Sequence, residues 1–299
     1  MKNFINIDNW SKNELEDLLD KALTLKSELK NNISHRHLDQ KNIGMVFDKS
    51  SLRTRVSFEV GINQLGAHAI VLGDSAGKLG EREPIADFAR VASRYVDGLI
   101  VRTYEESRIT ELEKYSTVPI INALSDESHP CQSMADVLTL IEHWKNLDNK
   151  VLAYIGDSNN VTRSLVRIAS KLGLKMHVIS PENYHFEKTE LEHWKDQGIK
   201  FFTDPKEGAS GVDAFYTDVW TSMGQEKEKE KRIKDFQGFI IDTDLIKCAA
   251  NDVKVLHCLP AHRGEEISDE VIESNHSIVF DQAENRLHVQ KAIMTVCFN

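Results

Sequence analysis

The chain contains 299 residues, with 37 Lys and Arg against 47 Asp and Glu and a formal net charge of -10. This length predicts two domains, and a hydrophobic fraction of 40% supplies enough apolar side chains for a folded core. The acidic balance argues against nucleic acid or an anionic membrane as the main partner, because both select a basic surface. A small anionic substrate would require a local concentration of basic groups.

The ends of the chain and its cysteines predict a cytoplasmic protein. The N-terminal segment is polar from residue 7 onward, which argues against a signal peptide. No window approaches the ~18 uncharged apolar residues of a membrane helix. The four cysteines are scattered without a C-x-x-C pair, which predicts reduced thiols and no structural zinc.

Short β-branched runs alternate with amphipathic segments along the whole chain. The capping box from Ser11 to Glu14 predicts the first helix. Strands are predicted at 43–47, 69–72, 98–101 and 118–121, followed by a long helix from 131 to about 146. The alternation restarts with strands at 151–155, 176–179, 214–216 and 255–257, and an apolar helix is predicted at 284–296. The charge run at 225–235 predicts a solvated loop and helix.

This βαβα alternation predicts parallel sheets covered by helices, and the break near 147–150 predicts two such domains. In open α/β sheets, ligands bind outside the carboxyl ends of the strands. We therefore expect the functional residues directly after the predicted strands.

A candidate phosphate site follows the first strand, at the start of a predicted helix. Lys49, Arg53 and Arg55 lie within seven positions there, interleaved with hydroxyl side chains. A helix N-terminus offers unpaired N–H groups, and arginine offers a planar fork for phosphate oxygens. Ser51, Arg53 and Thr54 are thus a candidate cradle for a compact dianion, although a capped helix with solvated arginines would have the same pattern. Neither a P-loop nor a dinucleotide-binding fingerprint is present.

The same segment resembles the carbamoyl-phosphate signature of the aspartate/ornithine carbamoyltransferases. The resemblance lies in Ser51-x-Arg53-Thr54-Arg55 followed by the Ser-Phe-Glu sequence of residues 57–59. Most members have Thr where this chain has Leu52. That position is expected to contribute mainly its backbone N–H, so the change costs a hydroxyl and leaves the site in place.

Further matches follow in the family's order. Arg102 closes the third predicted strand, and His129-Pro130-Cys131-Gln132 is similar to the family's H-P-x-Q. The resemblance implies that Arg102, His129 and Gln132 hydrogen-bond the carbamoyl oxygen and amide, which suits a carbonyl under attack. It also places Lys78 on a loop that reaches the neighbouring subunit's site. Taken alone, His129 could be a structural residue and Lys78 a surface lysine on a Gly-rich loop.

Three segments in the second half follow predicted strands: 156–160, 218–224 and 257–264. The Asp-x-x-x-Ser-Met-Gly and His-Cys-Leu-Pro sequences in them resemble the ornithine branch of the family. The resemblance implies that Asp218 and Cys258 hold and orient the δ-amine of ornithine. It further implies that Asn160, Ser222 and Met223 contact the amino-acid end.

Taken alone, these residues have other interpretations. Cys258 would be a small buried hydrophobe, and Asp218 would cap the following helix. The histidines that flank Cys258, His257 and His262, match the spacing of no common metal site. The resemblance implies that the Leu259 carbonyl accepts from an amine and that Arg286 lies near the reaction centre.

The resemblance as a whole implies an enzyme that transfers the carbamoyl group of carbamoyl phosphate to L-ornithine, in arginine biosynthesis or the arginine deiminase pathway. The expected fold is two doubly wound parallel-sheet α/β domains with the active site in the interdomain cleft. Residues 1–147 would bind carbamoyl phosphate, residues 148–283 would bind ornithine, and the helix at 284–299 would return to the first domain. A homotrimer or an assembly of trimers is expected, with no metal or organic cofactor.

The expected catalytic residues are Arg102, His129, Asp218 and Cys258. The expected carbamoyl-phosphate ligands are Ser51, Leu52, Arg53, Thr54, Lys78, Arg102, His129, Gln132, Cys258, Leu259 and Arg286. The alternatives are a carbamoyltransferase for another amine, such as putrescine or an N-acylornithine, and a non-catalytic binding protein with the same fold.

Overall fold

The computed structural model describes residues 2–72, 78–222 and 225–299. The chain forms two compact units. The first comprises Met1–Leu138 together with Glu284–Asn299, and the second comprises Thr139–Ala283. Within the described ranges, no helix is long and apolar enough to cross a membrane.

The first unit is built on a four-stranded parallel sheet. Its strands are β1 (Asn42–Phe47), β2 (His68–Leu72), β3 (Gly98–Arg102) and β4 (Ile120–Leu124), in the spatial order β2-β1-β3-β4. The helices along this part of the chain are α1 (Lys12–Lys30), α2 (Leu52–Gln64), α3 (Ile85–Ala92), α4 (Glu106–Tyr115) and α5 (Pro130–Trp144). The strand order reverses between β1 and β3, where Phe47 pairs with Arg102. Such a switch point leaves a crevice at the carboxyl ends of the strands.

The second unit is built on a five-stranded parallel sheet. Its strands are β5 (Val151–Ile155), β6 (Lys175–Ile179), β7 (Lys200–Phe202), β8 (Ala214–Thr217) and β9 (Lys254–His257), in the order β7-β6-β5-β8-β9. The remaining helices are α6 (Asn160–Leu172), α7 (Lys188–Asp196), α8 (Pro205–Gly208), α9 (Lys229–Asp235), α10 (Thr243–Ile246), α11 (Asp269–Ile272) and α12 (Val279–Phe298). Here the switch point lies between β5 and β8. The prediction of two doubly wound parallel-sheet units is confirmed.

The last helix, α12, packs back on the first unit, as predicted. Gly98 opens β3 beneath Phe298, and a Cβ built at that glycine would overlap the Phe298 ring. The helix is less apolar than expected, because Arg286, His288 and Lys291 are all buried in it. The first helix begins as predicted, since Ser11 and Glu14 form a complete capping box.

Three local predictions from the sequence are wrong. The fourth strand runs to Leu124 because Asn122, which reads as a turn residue, is buried and donates to the Ile5 carbonyl at 3.0 Å and to Ser128 Oγ at 2.9 Å. The three-residue strand β7 is too short to leave a periodic signal. The charge run at 225–235 is not wholly solvated, because Arg232 is buried.

Candidate active site

The N-terminus of α2 forms one side of the candidate phosphate site. Ser51 is the N-cap in an extended conformation, and its hydroxyl accepts from the Thr54 N–H at 3.3 Å. Leu52 is 76% exposed and Arg53 is exposed, whereas Thr54 is buried. The first turn of this 13-residue helix therefore carries the unpaired N–H groups and partial positive charge that favour an anion.

Two buried arginines lie beside this helix start. Arg286 donates from Nη2 to Thr54 Oγ1 at 3.2 Å and from Nη1 to Gln132 Oε1. Burial, followed by the positive charges of Arg286 and Arg53, lowers the pKa of the Arg102 guanidinium to about 10. No carboxylate of the described chain is among the groups that shift this pKa. The three guanidinium groups therefore form a concentration of positive charge, which a dianion would stabilise.

His129 lies in the same cluster as a neutral imidazole. Burial, followed by the charges of Arg286 and Arg102, lowers its pKa well below the ordinary value of 6.5. At neutral pH the ring keeps one N–H, with which it can donate a hydrogen bond without carrying charge. A neutral donor suits a substrate carbonyl, because it adds no further repulsion to the arginine cluster.

Sequence reasoning missed the residue that orients Gln132. The Gln132 amide donates from Nε2 to Asp136 Oδ1 at 2.8 Å, one helical turn along α5. Because a carboxylate only accepts, the amide nitrogen faces Asp136 and the amide oxygen faces Arg286. The signal was present in the sequence as an acid four residues after the glutamine of H-P-x-Q.

The other basic residues near β1 are engaged elsewhere. Lys49 forms an ion pair with Asp126, and Arg55 pairs with Glu59 at 2.8 Å along α2. Of Lys49, Arg53 and Arg55, only Arg53 is among the charged groups that lower the pKa of Arg102. Lys78 is exposed, with its ammonium 5.5 Å from the centre of the Tyr104 ring.

In the second unit, a carboxylate and a thiol meet at the carboxyl ends of β8 and β9. These strands are paired neighbours, and Asp218 and Cys258 follow them directly. The Cys258 thiol donates to Asp218 Oδ1 at 2.9 Å, and the Val219 N–H donates to the same oxygen at 2.8 Å. Both side chains are mostly buried. A negative group at this edge suits a cationic substrate.

Asn159 joins this pair across the switch point. Its Oδ1 accepts from the Val161 and Thr162 N–H groups, so it caps α6. Because the amide oxygen is occupied, the amide nitrogen faces Asp218 and donates to Oδ2 at 3.3 Å. The sequence analysis had selected its neighbour Asn160 and not Asn159.

The predicted contacts to the amino-acid end are placed only in part. Asn160 is the first residue of α6, with a half-buried side chain. Ser222 is also half-buried, and its N–H donates to Gln225 Oε1 at 3.0 Å. Met223 lies outside the described residues.

Among the residues that the structure describes, two groups of side chains have potential metal ligands within 4.8 Å of one another: Asp218, His257 and Cys258, and His262, Glu265 and Glu266. Hydrogen bonds between protein groups already use the central atoms. The His257 Nδ1 atom accepts from the Leu259 N–H, and Glu266 Oε1 accepts from the His262 N–H. Neither set matches the short-spaced ligands of a structural zinc site. The absence of a metal cofactor stays a prediction.

Each unit thus concentrates its polar side chains at a switch point, with cations in the first unit and carboxylates in the second. This distribution is that of an α/β enzyme with one anionic and one cationic substrate. The carbamoyl-P binding domain of the aspartate/ornithine carbamoyltransferases matches residues 2–142, and the Asp/Orn binding domain of that family matches residues 148–297. The chain belongs to the aspartate/ornithine carbamoyltransferase family, and the resemblance seen in the sequence is confirmed.

The similar proteins are known as ornithine carbamoyltransferases. The protein of that name from Syntrophotalea carbinolica is 48% identical over 98% of both chains. The one from Archaeoglobus fulgidus is 49% identical over 98% of this chain and 96% of its own. The structure of the Pyrococcus furiosus ornithine carbamoyltransferase superposes with a TM-score of 0.93, at 43% identity, over 98% of this chain and 96% of that one.

Proposed function

We propose that the chain transfers the carbamoyl group of carbamoyl phosphate to the δ-amine of L-ornithine, which yields L-citrulline and phosphate. One observation carries the choice of the amine substrate. The Cys258 thiol and Asp218 carboxylate meet at 2.9 Å, so the second unit offers an acidic group where an aspartate substrate would need basic ones. The names of the relatives support the same choice.

In this proposal residues 1–147 with 284–299, a range that contains the whole first unit, bind carbamoyl phosphate. The α2 N-terminus, with Ser51 and Thr54, binds the phosphate together with Arg53, and the backbone N–H of Leu52 contributes. Arg102 and His129 donate to the carbamoyl oxygen. Their donors stabilise the oxyanion that develops as the amine attacks, because charge is stabilised best by donors already in place.

Residues 148–283 bind ornithine in the same proposal. A free δ-amine has a pKa of about 10.4, so only about 0.04% is neutral at pH 7 and the neutral form costs roughly 4–5 kcal/mol. Asp218 binds the ammonium form and orients it, with Cys258 and the Leu259 carbonyl beside it. Once the ammonium has lost one proton to solvent, the neutral amine attacks the carbonyl carbon. The C–O bond to phosphate then breaks, and the departing phosphate takes the proton that the attacking nitrogen releases.

The remaining residues of the family signature have defined parts in the proposal. Arg286 and Gln132 contact the carbamoyl group of the substrate, and Gln132 forms a hydrogen bond with the amide of that group. Asn160, Ser222 and Met223 contact the α-amino acid group, which putrescine lacks and an N-acylornithine blocks. No cofactor takes part, and the protein acts in the cytoplasm.

We further propose that the active form is a homotrimer, with the Lys78 loop shared between subunits. Helix α2 leaves three apolar side chains exposed at successive turns, namely Leu52, Val56 and Val60. On the edge strand β2, Ile70 and Val71 are exposed as well. An exposed apolar face next to an open sheet edge favours a second copy of the chain. Light scattering should give three times the chain mass, and Val56→Glu should lower it.

The proposed reaction is tested by phosphate release and by identification of the carbamoylated product, from carbamoyl phosphate with ornithine, putrescine, N-acetylornithine and aspartate in parallel. Ornithine should be the preferred substrate by at least about a hundredfold in kcat/KM, because a site that hydrogen-bonds the α-amino acid group rejects analogues without it. Preference for putrescine or acetylornithine would replace ornithine by that amine. Binding of carbamoyl phosphate without turnover of any amine would favour the non-catalytic alternative.

A further inference from the structure

A buried histidine–glutamate pair lies under the Cys258 segment and has no part in the proposed substrate contacts. His257 is 1% exposed and Glu266 is 0% exposed. Their side chains meet with His257 Nε2 2.9 Å from Glu266 Oε1. A buried ionisable pair is weak evidence for stability, because removing both groups from water costs as much as the contact returns. Glu266 Oε2 adds to that cost, because it is buried with no hydrogen-bond partner among the described residues.

The hydrogen bonds fix the tautomer of His257. The backbone N–H of Leu259 donates to His257 Nδ1 at 2.9 Å, so Nδ1 is an acceptor and carries no proton. The ring proton is therefore on Nε2, where it faces Glu266 Oε1. The Leu259 N–H and the glutamate oxygen thus favour the same tautomer, and loss of Glu266 would leave the Nε2 proton without its acceptor.

The same glutamate oxygen holds the far end of the segment. Glu266 Oε1 accepts from the His262 N–H at 2.6 Å, in addition to the imidazole. Leu259, between these points, has a φ of 56°, a left-handed conformation that costs a bulky L-residue roughly 1–2 kcal/mol. Such a conformation persists only when its surroundings fix it. Here the conformation of Leu259 is fixed from one side by His257, which accepts from its N–H. Glu266 fixes both ends of the segment, because it contacts His257 before Leu259 and the His262 N–H after it.

We propose that Glu266 is a positioning residue for ornithine use: through His257 and His262 it fixes the segment that carries the Cys258 thiol and the Leu259 carbonyl. The proposal rests on the proposed function, because it assigns these two groups to the amine. It requires an acceptor oxygen at position 266 and does not require a negative charge there. Glutamine can supply that oxygen, whereas methionine fills a similar volume without it.

The experiment compares Glu266→Gln, Glu266→Met and the matched control Glu265→Met. Glu265 is the neighbouring residue, partly exposed, and its ion pairs go to Lys229 and His262. Glu266→Met should raise the KM for ornithine about tenfold or more, as expected for the loss of a buried acceptor, with phosphate affinity unchanged. Glu266→Gln and Glu265→Met should remain within about threefold of the parent protein, the scatter of conservative surface changes.

A second measurement reports the position of the thiol without turnover. Peptide mapping after iodoacetamide treatment gives the alkylation rates of Cys258 and of Cys248, another half-buried cysteine. Glu266→Met should accelerate alkylation of Cys258 alone, because the thiol loses its fixed contact with Asp218. A purely structural role would instead lower the melting temperature and accelerate both cysteines together, which would overturn the proposal.

The outcomes separate this proposal from the proposed function. If the parent protein forms no citrulline, the proposed function fails, and the selective change at Cys258 still tests the role of Glu266. If Glu266→Gln is as damaging as Glu266→Met in KM and in alkylation, the charge matters and the acceptor explanation is overturned. The proposal is supported if Glu266→Met raises the KM for ornithine and accelerates alkylation of Cys258 alone, and if Glu266→Gln behaves like the parent protein in both measurements.

Discussion

Replacing Arg102 by methionine should stabilise the ligand-free protein while it removes phosphate binding. The buried guanidinium lies beside Arg286 and Arg53, and its pKa falls from 12.5 to about 10. That fall corresponds to about 3 kcal/mol of unfavourable interaction with the charged form. Neutral pH lies below both the folded and the unfolded pKa values, so the charge is present in both states and the whole penalty falls on the folded one.

Methionine keeps most of the apolar stem and removes the charge. The free energy of unfolding at pH 7 should therefore rise by about 1–3 kcal/mol, the upper value being the full penalty. For a unit of this size each kcal/mol raises the melting temperature by about 2–4 °C. The parent protein should in turn be stabilised by inorganic phosphate, by about 2.7 kcal/mol at a hundred times Kd.

The assay is thermal unfolding at pH 7 at constant ionic strength, with chloride or with phosphate. The matched control is Arg90→Met, since Arg90 is exposed and paired with Asp87 on the surface. The control should melt within about 2 °C of the parent and keep the phosphate response, as surface changes do. If Arg102→Met melts lower than the parent and still gains the full stabilisation from phosphate, the assignment of Arg102 to an anion site is refuted.

The remaining predictions concern three other positions. Cys258→Ala, which removes the thiol donor to Asp218, should raise the KM for ornithine about tenfold, as loss of a hydrogen bond to a carboxylate would, and leave phosphate affinity unchanged. Equal losses in both would contradict its place beside the amine. Asn159→Asp keeps the cap of α6 but replaces the donor to Asp218 by a second carboxylate, so kcat should fall because the amine is held protonated, and the melting temperature should fall because the two carboxylates repel each other. Asn159→Ala should cost about 1 kcal/mol of stability through loss of the cap. Burial, followed by the charge of Lys291, lowers the pKa of His288 to about 4. Because the unfolded state binds a proton that the folded state does not, His288 should cost about 2 kcal/mol of stability as the pH falls from 7 to 5. Urea unfolding of His288→Gln at both pH values should show a correspondingly flatter dependence, and an unchanged slope would exclude this source.

Except for β7, the strands were predictable because each is a short run of mainly apolar residues, and most of the candidate site residues follow one of these runs. Arg102, Asp218 and Cys258 were found in this way, since parallel strands bring their carboxyl ends to one edge. Strand β7 and the end of β4 were not predictable. The former has only three residues, and the latter contains Asn122, whose amide nitrogen donates to the Ile5 carbonyl, far away in sequence, and to Ser128, near in sequence. Tertiary hydrogen bonds decided both the strand end and the burial of a polar side chain there.

Within the site, sequence reasoning found the groups expected to contact substrate and missed the groups that hold them. Asp136 and Glu266 have no motif of their own, and each acts through a neighbour, Gln132 or His257. Asp136 lies one helical turn after Gln132, a spacing that the sequence already contained, whereas Glu266 is a partner through the fold alone. The charge run around Arg232 was misjudged for the same reason, because only the fold brings Asp157 within 2.6 Å of its guanidinium.

The net charge of -10 says little about either substrate, because the arginines of the candidate site lie in the first unit and the Asp218 carboxylate lies in the second. In the first unit, Lys49 and Arg55 are paired with acids, whereas the charged groups that shift the pKa of Arg102 are other arginines and a tyrosine. The arrangement destabilises the free protein, and an anionic ligand reverses that cost on binding. The second unit has the opposite arrangement, with Asp218 held by neutral donors from Asn159 and Cys258. The first unit is thus less stable alone than it could be, and the charge that would relieve it has the sign of the substrate assigned to that unit.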